Sequence, residues 1–222
     1  IIDTYFHGNE ELGLSFLRQY HSELFPQLPS NGHFNERRTR LGPLIEQIRC
    51  WLTVQEGLLT TTDPVRLIDS APIFVATYGR GGDNQTLTGH EYFGVASSHG
   101  AKVFGLRLDI TTSHDQVIDQ WMLAPASYHD STTMPALVED QNDLLLIGDG
   151  AYHNPTVEPV LHHHHQIDVL APPRQDSRLY AWSKAAIQTV ARFRRPIESA
   201  FSVLATVFNI EHPQARSLHG LV

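Results

Sequence analysis

Apolar residues recur first at helical spacing, then at strand spacing, then at helical spacing again. Over residues 9–24, NEELGLSFLRQYHSEL sets Leu12, Phe16, Leu17, Tyr20 and Leu24 near helical spacing. PQLPSNGHF interrupts that pattern with two prolines and a Ser-Asn-Gly run. NERRTRLGPLIEQIRCWL resumes it, with Leu41, Leu44, Ile45, Ile48 and Leu52 on one face and Arg37, Arg38 and Arg40 on the approach. Two readings of these helices stand open, simple packing or a small DNA-binding element.

After TTTDP the pattern shortens to apolar runs split by turn residues. VRLIDSAPIFVA reads as a strand, and YGRGGDNQTLTGHEYFG as a loop. KVFGLRLDIT alternates Val103, Gly105, Arg107 and Asp109 against Phe104, Leu106, Leu108 and Ile110, the signature of a half-buried strand. VIDQWMLAPAS is a third strand. STTMPALVED is a helix capped by Ser or Thr, and DLLLIGDGA a strand buried on both faces. NPTVEPVLHHHH reads as a short helix with Asn154 as N-cap and Pro155 in its first turn. IDVLAP is a fifth strand, ended by Pro172 and Pro173, and a long helix runs from about Tyr180 to Phe208. In that helix Val190, Phe193, Ile197, Phe201 and Leu204 form the buried stripe, and Pro196 should bend it or mark a break just upstream. Hairpin-linked strands followed by alternating helices and strands predict an α/β fold, a mixed five-stranded sheet flanked by helices. The expected division is an N-terminal helical segment over 1–60 and an α/β domain over 61–222.

Composition narrows the class. A hydrophobic content of 41% supports a real core, and 18% charged residues argue against wholesale disorder. Cys50 is the only cysteine, which excludes an intrachain disulfide framework and fits a reducing cytoplasm. No apolar run is long enough for a transmembrane helix, so no membrane partner is expected. The chain opens on Ile1 and stops at SLHGLV, as expected of a piece cut from a longer protein. Net charge is -8, but residues 171–222 carry 7 basic against 3 acidic side chains, or +4, leaving -12 for residues 1–170. A basic segment on an acidic body suits a local phosphate-binding face, or merely a solvated helix.

Candidate chemistry lies at strand ends. Asp69 closes the first strand in LIDS, and Asp149 the fourth in LIGDG. Ligands of open α/β sheets gather beyond the carboxyl ends of strands. If those two strands are neighbours, two carboxylates converge, and a divalent cation with hard-oxygen preference relieves their repulsion. Glu198, on the shoulder of the last helix with Arg194 one turn before it, is the candidate third ligand. Asp before Gly at a strand end is equally the chemistry of an ordinary turn. In the His162–His165 run only His162 and His165 share a helix face, so an exposed helix end is expected rather than a zinc site.

The blocks LIDSAPI, GHEYFGVASSHGAKVFGLRLDITT, MLAPASYHD, LIGDGAY, VLAPPR and RRPIESAFSVLATVFNIEHPQARSLHGL, in order from about Arg66 to the end, resemble bacterial insertion-sequence DDE transposases with an RNase H-like catalytic core. PQLPSNGHFNERRTRL resembles the helical segment that precedes the core in one branch of that group. The resemblance implies that Asp69, Asp149 and Glu198 are the catalytic, metal-binding triad. It implies two Mg²⁺ ions, replaceable by Mn²⁺, and DNA as partner, both transposon ends and target, with a homodimer in the DNA complex and a cytoplasmic, nucleoid-associated location. Arg194, Arg195, Lys102 and Arg174 are the candidate DNA-binding residues, Lys102 being placed on the loop entering the second strand. Tyr152, His129 and Asp130 are supporting residues, with His129–Asp130 capping the next helix. The family often carries Tyr seven residues before the Glu and Lys or Arg seven after it; here those positions are Ala191 and Ala205. A decayed or domesticated DNA-binding relative, or another RNase H-like nuclease, are the alternatives.

Overall fold

The computed structural model describes residues 2–59, 63–96, 100–173 and 182–213. Its helices are α1 (Ile2–Phe6), α2 (Glu10–Tyr20), α3 (Asn31–Gln55), α4 (Asp130–Leu137), α5 (Glu158–His165) and α6 (Lys184–Phe208). Its strands are β1 (Val65–Ala76), β2 (Phe93–Ala96), β3 (Ala101–Thr112), β4 (Ile118–Pro125), β5 (Leu145–Ile147) and β6 (Asp168–Leu170). They form one six-stranded mixed sheet in the order β2-β3-β1-β5-β6, with β4 also pairing β3. The sheet thus has one strand more than expected. The addition, Phe93–Ala96, is a four-residue strand at the end of the stretch read as loop. It pairs antiparallel with β3, Phe93 opposite Phe104.

β1 lies antiparallel to β3 and parallel to β5, and β5 parallel to β6. The parallel pairs need crossovers, which α4 and α5 supply. The alternation of side chains along β1 and β5 divides the core in two. Ile68 and Leu146 face Met134 and Leu137 of α4 and Leu161 of α5. Leu67 and Ile147 face Val190 and Ile197 of α6.

β3 is buried on both faces rather than on one. Val103, Phe104, Leu106 and Ile110 are buried, and so are Asp109, Thr111 and Thr112. The cause is topological: β1 flanks β3 on one edge, β2 and β4 share the other, and the helices cover the faces. α4 is capped by His129 rather than by Ser or Thr, its Nδ1 accepting from Ser131 N–H at 3.3 Å. α5 starts later than expected, with Val157 at its N-cap. Asn154 closes the preceding turn instead, its side-chain oxygen accepting from the Thr156 N–H at 3.1 Å. α6 begins at the Ser183 cap and runs through Pro196 as one helix, so the break anticipated upstream is absent. Phe193 is 50% exposed, and Ala200 is buried instead, beside Val190 and Ile197.

The N-terminal helices expose more apolar surface than their spacing suggests. In α2 the buried residues are Gly13, Leu14 and Leu17, while Leu12, Phe16 and Tyr20 are exposed. Gly13 is where α1 approaches: a Cβ there would stand 2.8 Å from Ile2 Cγ1. On α3 only Thr53 is buried, and Leu41, Leu44, Ile45, Ile48 and Leu52 are all exposed. α3 joins the sheet through its C-terminal half, where Arg49 donates to the carbonyls of Ile118 and Asp119. Arg38 is ion-paired with Asp3 and Glu10, and Arg40 with Glu36, which leaves Arg37 as the one of the three without an ion pair among the described residues.

Candidate active site

Parallel register brings the strand-end aspartates together. Val65 pairs with Leu145 and Leu67 with Ile147, so the next positions of the same parity are Asp69 and Asp149. Both project on the α6 side of the sheet, as Leu67 and Ile147 do. Asp69 and Asp149 line one cavity of about 400 Å³ with Glu198 and Arg194 of α6 and with Arg107 and Asp130. The three acidic residues singled out in the sequence therefore converge on one cavity, although they lie on three elements.

The GDGAY turn is built to present Asp149. Its Oδ1 accepts from the Ala151 N–H at 2.8 Å, and its carbonyl accepts from the Tyr152 N–H at 3.1 Å. Tyr152 then folds back into the core beside Ile68, Met134 and Leu146 and is 1% exposed. Its ring lies over Gly148, where a Cβ would stand 2.8 Å from Tyr152 Cδ2 and 3.0 Å from Ile68 Cγ2. The first glycine is therefore dictated by packing. Burial drives the Tyr152 hydroxyl well above its ordinary pKa.

Asp69 is held from two sides. Its Oδ1 accepts from the Ser70 N–H at 2.9 Å and its Oδ2 from Arg194 Nη2 at 2.8 Å. Burial pushes its carboxyl up to about 6; Arg194 and the Ser70 bond oppose the rise, while Asp149 and Asp130 add to it. Arg194 answers only one such carboxylate. Glu198, one turn further along α6, is exposed at the cavity rim and has no hydrogen bond or ion pair among the described residues.

Behind Asp69 runs a polar network that sequence reading largely missed. Ser70 Oγ donates to Asp130 Oδ1 at 2.6 Å, and Arg107 pairs with Asp130 at 3.2 Å and donates to the Tyr128 carbonyl. Asp109, opposite Ser70 in the ladder, is fully buried, with the Thr133 hydroxyl as its one side-chain donor among the described residues. Burial raises it to about 7, with Arg107 and the Thr133 hydroxyl opposing and Asp130 and Asp69 adding to the rise. The available signal was the LRLD pair of charges inside an apolar strand, which the alternation assigns to the solvent side.

The remaining candidates scatter. Arg195 is exposed and does not line the cavity. Lys102 lies within β3, opposite Val95, not on a loop, and its Nζ sits 5.4 Å from the centroid of the Tyr78 ring. Arg174 lies outside the described residues. His129 caps α4, and Asp130 lines the cavity itself. His162 pairs with Asp168 at 2.9 Å on the surface.

The donor chemistry fits a hard divalent cation: the carboxylates of Asp69, Asp130, Asp149 and Glu198 line one cavity, and Asp69 is raised first by burial and further by Asp149 and Asp130. In this arrangement no three acidic, histidine or cysteine side chains among the described residues close to metal-binding distance. Nor is any described helix long and apolar enough to cross a membrane.

No curated protein matches the sequence. Among solved structures the chain is similar to the Mos1 transposase paired-end complex with left transposon end, at 10% identity and a TM-score of 0.28, over 82% of this chain and 65% of that one. The chain thus spans just under two thirds of that relative's length, and a likeness at that score establishes nothing further by itself. The transposase DDE domain model matches residues 60–222, well over half the sequence. On that match the chain belongs to the transposase DDE domain family, and its α/β core is a mixed six-stranded sheet flanked by helices.

Proposed function

We propose that this chain is the catalytic part of a DNA transposase that cleaves phosphodiesters at transposon ends and joins the freed 3′ end to target DNA. Asp69, Asp149 and Glu198 are its divalent-metal ligands. The observation that carries this reading is the convergence of these three residues on one cavity within a chain of this family. Two Mg²⁺ ions held by these carboxylates would supply charge neutralisation and activation of the attacking and leaving oxygens. The protein's own contribution is positioning. The β1–β5 register sets Asp69 beside Asp149, and the Asx turn fixes one oxygen of Asp149 and leaves the other to the cavity. Arg194 and Arg107 bring positive charge to the place where a phosphate must lie. No covalent protein intermediate is needed. DNA ends and target are the partners, two copies of the chain hold two ends, and the work belongs in the bacterial cytoplasm.

The test is nicking of duplex DNA in Mg²⁺. Asp149→Asn and Glu198→Gln are each expected to lower the rate about a hundredfold or more while leaving circular dichroism and DNA retention intact. Nicking that survives Asp149→Asn removes this reading. A second reading, a DNA-binding relative that has lost catalysis, is favoured by Ala191 and Ala205 at positions where the family often has Tyr and a basic residue. DNA retention with no Mg²⁺-dependent nicking by the wild-type chain would select it.

A further inference from the structure

We propose that the Arg194 guanidinium is the stand-in cation of the metal-free site, holding Asp69 until a divalent cation displaces it and so freeing the arginine for a DNA phosphate. This rests on the reading of Asp69 as a metal ligand. Arg194 Nη2 donates to Asp69 Oδ2 at 2.8 Å, with the two side chains only 13% and 21% exposed, so the pair is largely withdrawn from water. Asp69 Oδ1 is already engaged by the Ser70 N–H. Both oxygens thus have a donor, and the cation at this carboxylate is the protein's own.

The two arginines of the cavity differ in how firmly they are anchored. Arg107 is held by Asp130 and by the Tyr128 carbonyl. Arg194 has the single Asp69 contact, and its Nε is buried without a partner. An arginine with one anchor and an unsatisfied donor can exchange that anchor for a phosphate, whose oxygens accept both forks of the guanidinium. Glu198, one turn along the same helix, has no partner among the described residues and faces the same cavity. A divalent ion and a guanidinium on one carboxylate repel each other, so loading the first expels the second.

The test uses the full chain without DNA. Mn²⁺ is titrated and the free ion followed by electron paramagnetic resonance, for the wild type and Arg194→Gln. R194Q is expected to bind Mn²⁺ about tenfold more tightly. In parallel, Mg²⁺ is titrated into wild-type protein carrying ¹⁵N-arginine, the Arg194 resonance being assigned by its loss in R194Q. Saturation is expected to move that resonance to the position of a solvent-exposed guanidinium. Equal Mn²⁺ affinity in the two proteins, or an Arg194 resonance unmoved at Mg²⁺ saturation, overturns displacement and leaves the metal site standing. Absence of Mn²⁺ uptake by both overturns the metal site and this inference with it.

Discussion

Asp69 and Asp109 are both aspartates with elevated proton affinity, and they differ in what relieves them. Asp109 is sealed in the core, where burial outweighs what Arg107 and the Thr133 hydroxyl give its charge, so ionising it costs stability. Its folded pKa, about 7, lies above the unfolded value, so the folded chain binds the proton more tightly. The destabilisation is therefore absent below about pH 4, grows between pH 4 and 7, and is complete above 7. Asp109→Asn, which cannot ionise, is expected to be more stable than the wild type by on the order of 2 kcal/mol at pH 8, with the difference closing as pH falls towards 4. Urea unfolding at the two pH values measures it. Asp69 stands at the cavity, where a proton and a divalent cation compete for it. DNA nicking is expected to rise with pH through an inflection near 6, and that inflection should move to lower pH as Mg²⁺ is raised. A pH–rate profile insensitive to Mg²⁺ would contradict that competition. That the two strand-end aspartates meet in one cavity was legible from strand order, although Asp before Gly reads equally as a turn and only the family resemblance singled the pair out. Asp109 and Arg107 were not, because strict alternation assigns them to solvent, and only the flanking strands and helices reveal that the second face is also covered.

At the scale of elements, the delivery of Asp149 depends on how β5 ends. β5 has only three residues, and its exit is held by the Gly148 N–H donating to the Leu170 carbonyl at 3.2 Å and by Tyr152 folding over Gly148. A methyl at Gly148 meets Tyr152 Cδ2 at 2.8 Å and Ile68 Cγ2 at 3.0 Å, and both belong to the same packed cluster. Gly148→Ala is expected to cost about 1–3 kcal/mol in denaturant unfolding and to lower nicking beyond what lost stability explains, since the turn carrying Asp149 must shift. Gly148→Ala with unchanged stability and activity would show that the Tyr152 ring moves aside freely. Long elements with sustained patterns, β1, β3 and α6, were readable from spacing. β2 was not, because four residues between glycine-rich turns are too few to show a period. Spacing also located the stripe of α3 without revealing its environment: an amphipathic face is a local property, and whether anything covers it depends on where the helix docks.

The whole molecule couples an acidic body to a basic last quarter, +4 over residues 171–222 against -12 elsewhere. DNA cannot approach such a surface uniformly, because most of it repels phosphate. On the proposed function, a phosphodiester reaching Asp69 and Asp149 would pass α6, where Arg192 and Arg195 are exposed and Arg194 lines the cavity. Binding is then local, with few phosphates neutralised, and each exposed arginine that contacts one adds about one unit to the slope of log affinity against log salt. Arg195→Gln is expected to weaken duplex binding similarly for all sequences and to flatten that slope by about one, with the unfolding midpoint unchanged because the residue is exposed. Fluorescence anisotropy from 50 to 200 mM salt measures both quantities. An unchanged slope in Arg195→Gln would place the duplex on another face and require the cavity to be reached from the β2–β3 side, where Val95, Ala96 and Val103 line it.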